Sequence, residues 1–159
     1  MSLIIASAKQ EYSEDIGVEN VASFTNYFSN PIVIPPHSEI AVSTVNVSRS
    51  TGEGKGASAF VRLNNFPTMS SYNGATHQKT QIVCEFPRET VEGNHAGPLH
   101  YEPPFPLYLD IGNIDEIHLS QISVDIVDVN GVVVTDLDNG VGSNTVVIFH
   151  VRQKDHHVK

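Results

Sequence analysis

The sequence predicts an all-β fold of about eight antiparallel strands, arranged as two sheets packed face to face or as a barrel. Three observations lead there. Short runs rich in Val, Ile, Phe and Thr recur along the whole chain, separated by clusters of Gly, Pro, Asn and Ser. Few segments repeat apolar residues at i, i+3, i+4, i+7 without a Gly or Pro interrupting them, so no helix is long enough for a βαβ crossover. No stretch repeats at a fixed period, which argues against a propeller or solenoid.

Residues 1–18 read as an N-terminal arm with an opening strand, residues 19–153 as the folded domain, and residues 154–159 as a polar C-terminal tail. Glu19 to Phe28 reads as a strand anchored by Val21, Phe24 and Phe28, after which Asn30-Pro31 breaks the chain. Ile32-Val33-Ile34 is a strand stub closed by Pro35-Pro36. In the strand Glu39 to Ser48, Ile40 and Val42 share one face and Val45 and Val47 the other. That switch predicts a bulge near Ser43-Thr44 or burial on both sides.

Ser50 to Ser58, with Gly52, Gly54 and Gly56, reads as a loop, and Ala59 to Leu63 as a strand. Asn73-Gly74 is a turn signal, Thr80 to Phe86 a strand ending at Pro87, and Glu92 to Gly97 a loop. Pro103-Pro104-Phe105-Pro106 leads stiffly into Leu107 to Asp110. His118 to Val129 reads as the longest strand, with Val124 and Ile126 inward and Ser123 and Asp125 facing away. Asn130-Gly131 turns it into a hairpin with Val132-Val133-Val134. Asp138 to Asn144 is a loop, and Val146 to Gln153 the last strand.

The 159 residues suffice for one domain with a sizeable core, and 40% hydrophobic against 17% charged residues marks a globular chain. With 9 Lys+Arg against 18 Asp+Glu, the net charge of -9 repels phosphate backbones, so no nucleic-acid partner is expected. The start, Met1 to Ala8, lacks the basic region of a signal peptide, and no run approaches the ~18 apolar residues of a membrane span; direct membrane insertion is not expected. Cys84 is the lone cysteine, so no internal disulfide forms; in the run Ile82-Val83-Cys84 it reads as a buried, inert thiol. This suits folding in a reducing compartment, which leaves the sequon Asn46-Val47-Ser48 without meaning.

No catalytic, cofactor-binding or metal-binding residue is expected, and the chain is not read as an enzyme. Eight histidines raise the question of metals. His95, His100 and Glu102 lie close together, but without the His-x-His spacing on a strand that a cupin uses. His150, His156 and His157 crowd the C-terminus, where adventitious Zn²⁺ or Ni²⁺ binding is the reading. Asp136 to Gly140 resembles a calcium loop faintly, but Gly140 falls at position 5 and Val147 at position 12, where an EF-hand needs Gly at 6 and Glu at 12. No Gly-x-Ser-x-Gly elbow, dinucleotide fingerprint or P-loop occurs.

Three stretches carry a family resemblance. Asn30 to Val42 (NPIVIPPHSEIAV) is similar to an NPI-x-I-P-x-x-S-E-I-A segment of small capsid proteins of double-stranded DNA viruses. Pro106 to Asp110 (PLYLD) resembles a PLYLDL segment of the same proteins. Ile122 to Leu137 resembles their closing hairpin followed by Thr-Asp-Leu. These proteins belong to the lineage with double jelly-roll major capsids: nucleocytoplasmic large DNA viruses, virophages and polinton-like viruses. The resemblance spans about Asn20 to Arg152 and implies a single jelly roll with no catalytic residues. It implies a homopentameric penton at the five-fold vertices of the virion, beside major and minor capsid proteins, made in the host cytoplasm. Another minor capsid or cement protein is the alternative within that class. A carbohydrate-binding β-sandwich is an alternative outside it, against which the absence of Trp counts. A cupin-type metalloenzyme ranks last.

Overall fold

The computed structural model of the chain describes residues 1–7, 21–51, 58–66, 71–73, 78–88, 96–135, 137 and 144–154. The described residues form eleven strands and no helix: β1 (Ser2–Ala6), β2 (Ser23–Ile34), β3 (Ser38–Thr51), β4 (Ser58–Leu63), β5 (Ser71–Asn73), β6 (Gln78–Thr80), β7 (Ile82–Pro87), β8 (Ala96–Tyr101), β9 (Leu109–Asp110), β10 (Ile117–Val127) and β11 (Thr145–Gln153). One sheet runs β1-β11-β3-β8, with β9 also paired to β3; the other runs β2-β10-β4-β7, and β5 and β6 form a separate hairpin. The pairing is nested and antiparallel: β1 with β11, β2 with β10, β3 with β8, β4 with β7. This is a long ribbon wrapped into two sheets, the jelly roll.

Both sheets contribute their inner faces to one core. Alternation places Ala59, Val61 and Leu63 of β4 and Val147, Phe149 and Val151 of β11 inward. They meet Leu3, Ile5, Phe24, Ile40, Val83, Phe86 and Ile122 in a single cluster. Val124 and Ile126 are fully buried there, as their alternation predicts.

Two irregularities keep long strands in phase with this core. On β3 the register slips between Ile148 and Phe149, which pair with Thr44 and Val42 and leave Ser43 as the extra residue. The Ser43 hydroxyl donates to the Ile148 carbonyl at 3.2 Å. The bulge returns Val45 and Val47 to the face already used by Ile40 and Val42, so all four are buried. The second irregularity corrects a reading of the sequence: Asn30-Pro31 does not end a strand. β2 runs on to Ile34, and its residues 28–31 stand against the single Ser120 between the pairs Tyr27–Gln121 and Ile32–Leu119, with Phe28 still packed on the core. An edge strand tolerates proline because its outward N–H groups have no ladder partner to lose.

Other boundaries differ from expectation as well. β3, at 14 residues, is the longest strand; β10 ends at Val127. Thr80 to Phe86 divides at Gln81 into β6 and β7. Ala96-Gly97 opens β8 where a loop was expected, and Pro98 fits there because β8 is again an edge. The turn after β10 is present, but its central residues are Val129 and Asn130: the Gly131 N–H donates to the Asp128 carbonyl, and Gly131 takes φ +78°. Its return leg makes a single bridge, Val133 to Val127, and no strand. Residues 52–57 and 138–143 of the expected loops, and the tail beyond Lys154, lie outside the described residues.

Replacing Ile126 by Asp puts an unpaired charge between the sheets, at a cost of several kcal/mol. The variant is expected to be unfolded by circular dichroism at room temperature. A soluble Ile126→Asp protein that melts cooperatively near the wild-type temperature would contradict the strand register.

Candidate functional site

Asn30–Val42 and Pro106–Asp110 meet at one end of the sandwich. The turn between β2 and β3 places His37 in the left-handed region, at φ 56°. Asn113, buried in the β9–β10 connection, holds that turn from the other side. Its amide donates to the Pro35 carbonyl (2.6 Å), its Oδ1 accepts from the Ser38 N–H (3.0 Å), and its carbonyl accepts from the His37 N–H (2.8 Å). Ile111 donates its N–H to the Ser38 carbonyl (3.0 Å), and Lys154 donates its own to the His37 carbonyl (2.9 Å). Just beyond, the Lys154 ammonium pairs with Asp110. That hydrogen bond, followed by one from the Gly112 N–H, holds the Asp110 carboxyl below its usual range.

The Arg152 guanidinium bonds Glu39 through Nε at 3.0 Å and lies 3.6 Å over the Tyr108 ring. These contacts pin the far end of the Glu102–Tyr108 segment, whose prolines project Phe105 and Leu107 into solvent; Phe105 is 87% exposed. Nine large hydrophobic side chains are exposed among the described residues, Met1, Val33, Phe105, Leu107 and Ile114 among them. Beside Phe105 and Leu107 runs an apolar groove of about 320 Å³, lined also by Val42, Val83, Cys84 and Tyr101. Val83 is the buried member of the Ile82-Val83-Cys84 run. Cys84 is half-buried on the groove wall, and its thiol is pushed up to about 11 by burial and by the charge of Glu85. At that value the thiolate is scarce at neutral pH, so the thiol is a poor nucleophile.

The second feature is a polar network on the outer face of the β2–β10–β4 sheet. Asp125 on β10 stands opposite Ser23 of β2 and Arg62 of β4. Its Oδ1 accepts from the Ser23 hydroxyl (2.7 Å), and its Oδ2 from Arg62 Nη2 (2.5 Å) and Asn64 Nδ2 (2.6 Å). Arg62 Nη1 also donates to the Gly131 carbonyl at 2.9 Å, tying the turn after β10 to the sheet. Asp125 faces away from the core as the alternation predicts, yet is only 5% exposed because these partners cover it. Burial alone raises a carboxyl; here the hydrogen bonds from Arg62, Asn64 and Ser23, with the Arg62 charge, outweigh it and hold Asp125 below its ordinary value.

Next along the strands, the Thr25 and Ser123 hydroxyls share a hydrogen bond of 2.7 Å, and Tyr27 stands opposite Gln121. These small residues floor a trough of about 360 Å³ between Tyr27 and the Asp125 cluster. Alternation in the sequence marks Asp125 and Ser123 as outward residues but holds no sign of this network, whose partners lie 61 to 102 positions away.

Of the residues weighed as metal ligands, the described ones are His100, Glu102 and His150. His100 and Glu102 are exposed and 3.5 Å apart, with His100 also bonded to Asn46. His150 is half-buried on β11 opposite Ala41. His95, Asp136, Asn139, Gly140, His156 and His157 lie outside the described residues. Among the described residues no group of three or more His, Cys, Asp or Glu is placed to hold an ion. No protein-family model matches the chain, and no curated protein matches it.

Asp125→Ala strands the Arg62 guanidinium against the sheet. The expected loss is about 3 kcal/mol, low in the range for breaking a buried pair because Arg62 keeps some contact with water. Asp125→Asn keeps the shape and removes the charge. Because the folded-state value of Asp125 is lowered, its stabilising contribution is present above the ordinary carboxylate value of about 3.9 and fades as pH falls through the lowered one. The gap in melting temperature between wild type and Asp125→Asn should therefore be full at neutral pH and close below about pH 4. A gap independent of pH would contradict the ion pair.

Proposed function

We propose that this chain is a structural vertex protein, a penton, of an icosahedral double-stranded DNA virus capsid, located in the virion and acting by assembly. The observation that carries the reading is a convergence. Asn30–Val42 and Pro106–Asp110, which resemble segments of small capsid proteins, are adjacent in the fold through β3 and β9. The third stretch, from Ile122 to Leu137, begins within β10 opposite Asn26 and runs toward the other end of the sandwich. Two of the three resembling stretches thus lie side by side at one end of the jelly roll, and the third runs through its central strand β10.

The surface chemistry suits assembly. Phe105 and Leu107, exposed beside an apolar groove, form the contiguous apolar surface that would meet a neighbouring protein. In a closed ring of five, each subunit offers one flank to the opposite flank of the next. The β1/β2 edges and the β7/β8 edges lie on opposite sides of the sandwich and supply two such flanks. Major and minor capsid proteins are the further neighbours. A cement or other minor capsid protein would use the same fold and surface.

The charge of -9 on each copy opposes ring closure, and salt screens that repulsion over about 8 Å at physiological ionic strength. Light scattering across a salt series should show the fraction of pentamer rising with ionic strength. A stable dimer or trimer would contradict the penton reading, since neither fills a five-fold position.

A further inference from the structure

We propose that the trough on the outer face of the β2–β10–β4 sheet is a binding site for a neutral pyranose sugar. The inference does not rest on the vertex reading. Its floor is the pair Thr25–Ser123, with Ser23 beside it; its walls are Tyr27 at one end and Asn64 with Asp125 at the other.

The chemistry of the lining selects the ligand class by elimination. A cation finds no free carboxylate, because both oxygens of Asp125 are already engaged by donors and the Arg62 charge offsets its own. An anion meets the Asp125 carboxylate and a guanidinium turned to Asp125 and Gly131, in a chain of net charge -9. A wholly apolar ligand would strip water from the hydroxyl rungs and return no hydrogen bond.

A neutral polyol matches what remains. Each hydroxyl has one proton and two lone pairs. The Thr25–Ser123 contact consumes one proton of the two, leaving one donor and several acceptors facing the trough. Ser23, having given its proton to Asp125, keeps its lone pairs for a sugar hydroxyl. Tyr27 is 58% exposed and lines the trough, so its ring offers an apolar surface to the C–H face of a pyranose. The rungs are preorganised by the sheet register Ser23–Asp125, Thr25–Ser123 and Tyr27–Gln121. Rigid polar groups beside one aromatic ring lower the ordering cost of a weak ligand.

The test is an amide chemical-shift titration of the ¹⁵N-labelled full chain with methyl glucoside, methyl mannoside and methyl galactoside. Glycerol serves as a neutral polyol without a ring, and N-acetylneuraminic acid as a charged sugar. At least one glycoside should give saturable shifts centred on Thr25, Tyr27, Asn64 and Ser123, with a millimolar dissociation constant. Tyr27→Ala should weaken that binding about tenfold with an unchanged melting temperature, since the ring is exposed, while Tyr27→Phe keeps most of it. Absence of saturable shifts with all three glycosides would overturn the proposal. So would equal shifts with glycerol, tighter binding of N-acetylneuraminic acid than of any glycoside, or insensitivity to Tyr27→Ala. Solution mass of the wild-type chain tests the vertex reading separately: whatever its oligomeric state, the glycoside titration and its Tyr27→Ala control decide the sugar site.

Discussion

Each sheet of this sandwich has one face to bury, and side chains alternate strictly between the two faces. Everything else depends on keeping that parity over strands as long as the 14 residues of β3. A single slip would turn Val45 and Val47 outward and carry polar neighbours into the core. The extra residue at Ser43 and the register shift between Leu119 and Gln121 of β10 against β2 absorb the mismatch locally. With those corrections, residues from both sheets close around Phe149, Ile126 and Ile40 in one cluster. The jelly-roll pairing then follows from a ribbon that has only one apolar side.

Once the inner face is committed to packing, the outer faces and ends are free to carry function. The outer face of the β2–β10–β4 sheet uses that freedom for Asp125. This carboxylate holds donors from β2, β4 and the segment after β4, and so stitches three chain segments across the central strand. A buried pair of this kind contributes more to geometry than to net stability, because desolvation offsets much of the attraction. It fixes the position of the β10 turn through Arg62 and Gly131, and it sets one wall of the adjoining trough. At the far end, Asn113 locks the turn before β3 against the β9–β10 connection, and the prolines around Phe105 hold its ring in water.

What the sequence reveals follows from the range of each interaction. The inward placement of Val124 and Ile126 was legible because alternation is local. The change of face near Ser43-Thr44 was legible too, but not whether a bulge or burial on both sides resolves it, which the pairing with β11 decides. The turn after β10 was legible from Asn130-Gly131, though not its central residues, which the Asp128 hydrogen bonds decide. β8 was hidden because Ala96-Gly97-Pro98 carries turn chemistry, and only an edge position allows those residues in a strand. β2 was cut at Asn30-Pro31 for the same reason. The Asp125 cluster was illegible: in sequence it is a lone acid between Val124 and Ile126, and its donors are brought to it only by the pairing of β10 with β2 and β4.

The proposal on which the function rests is that this jelly roll occupies a vertex. It is tested most directly by an icosahedral electron-microscopy reconstruction of native particles that contain the chain. The account predicts density at the five-fold positions that accepts five copies of this sandwich, with strand order β1-β11-β3-β8 against β2-β10-β4-β7. Five-fold density that fits another fold, with this chain elsewhere in the shell or absent from the particle, would contradict it.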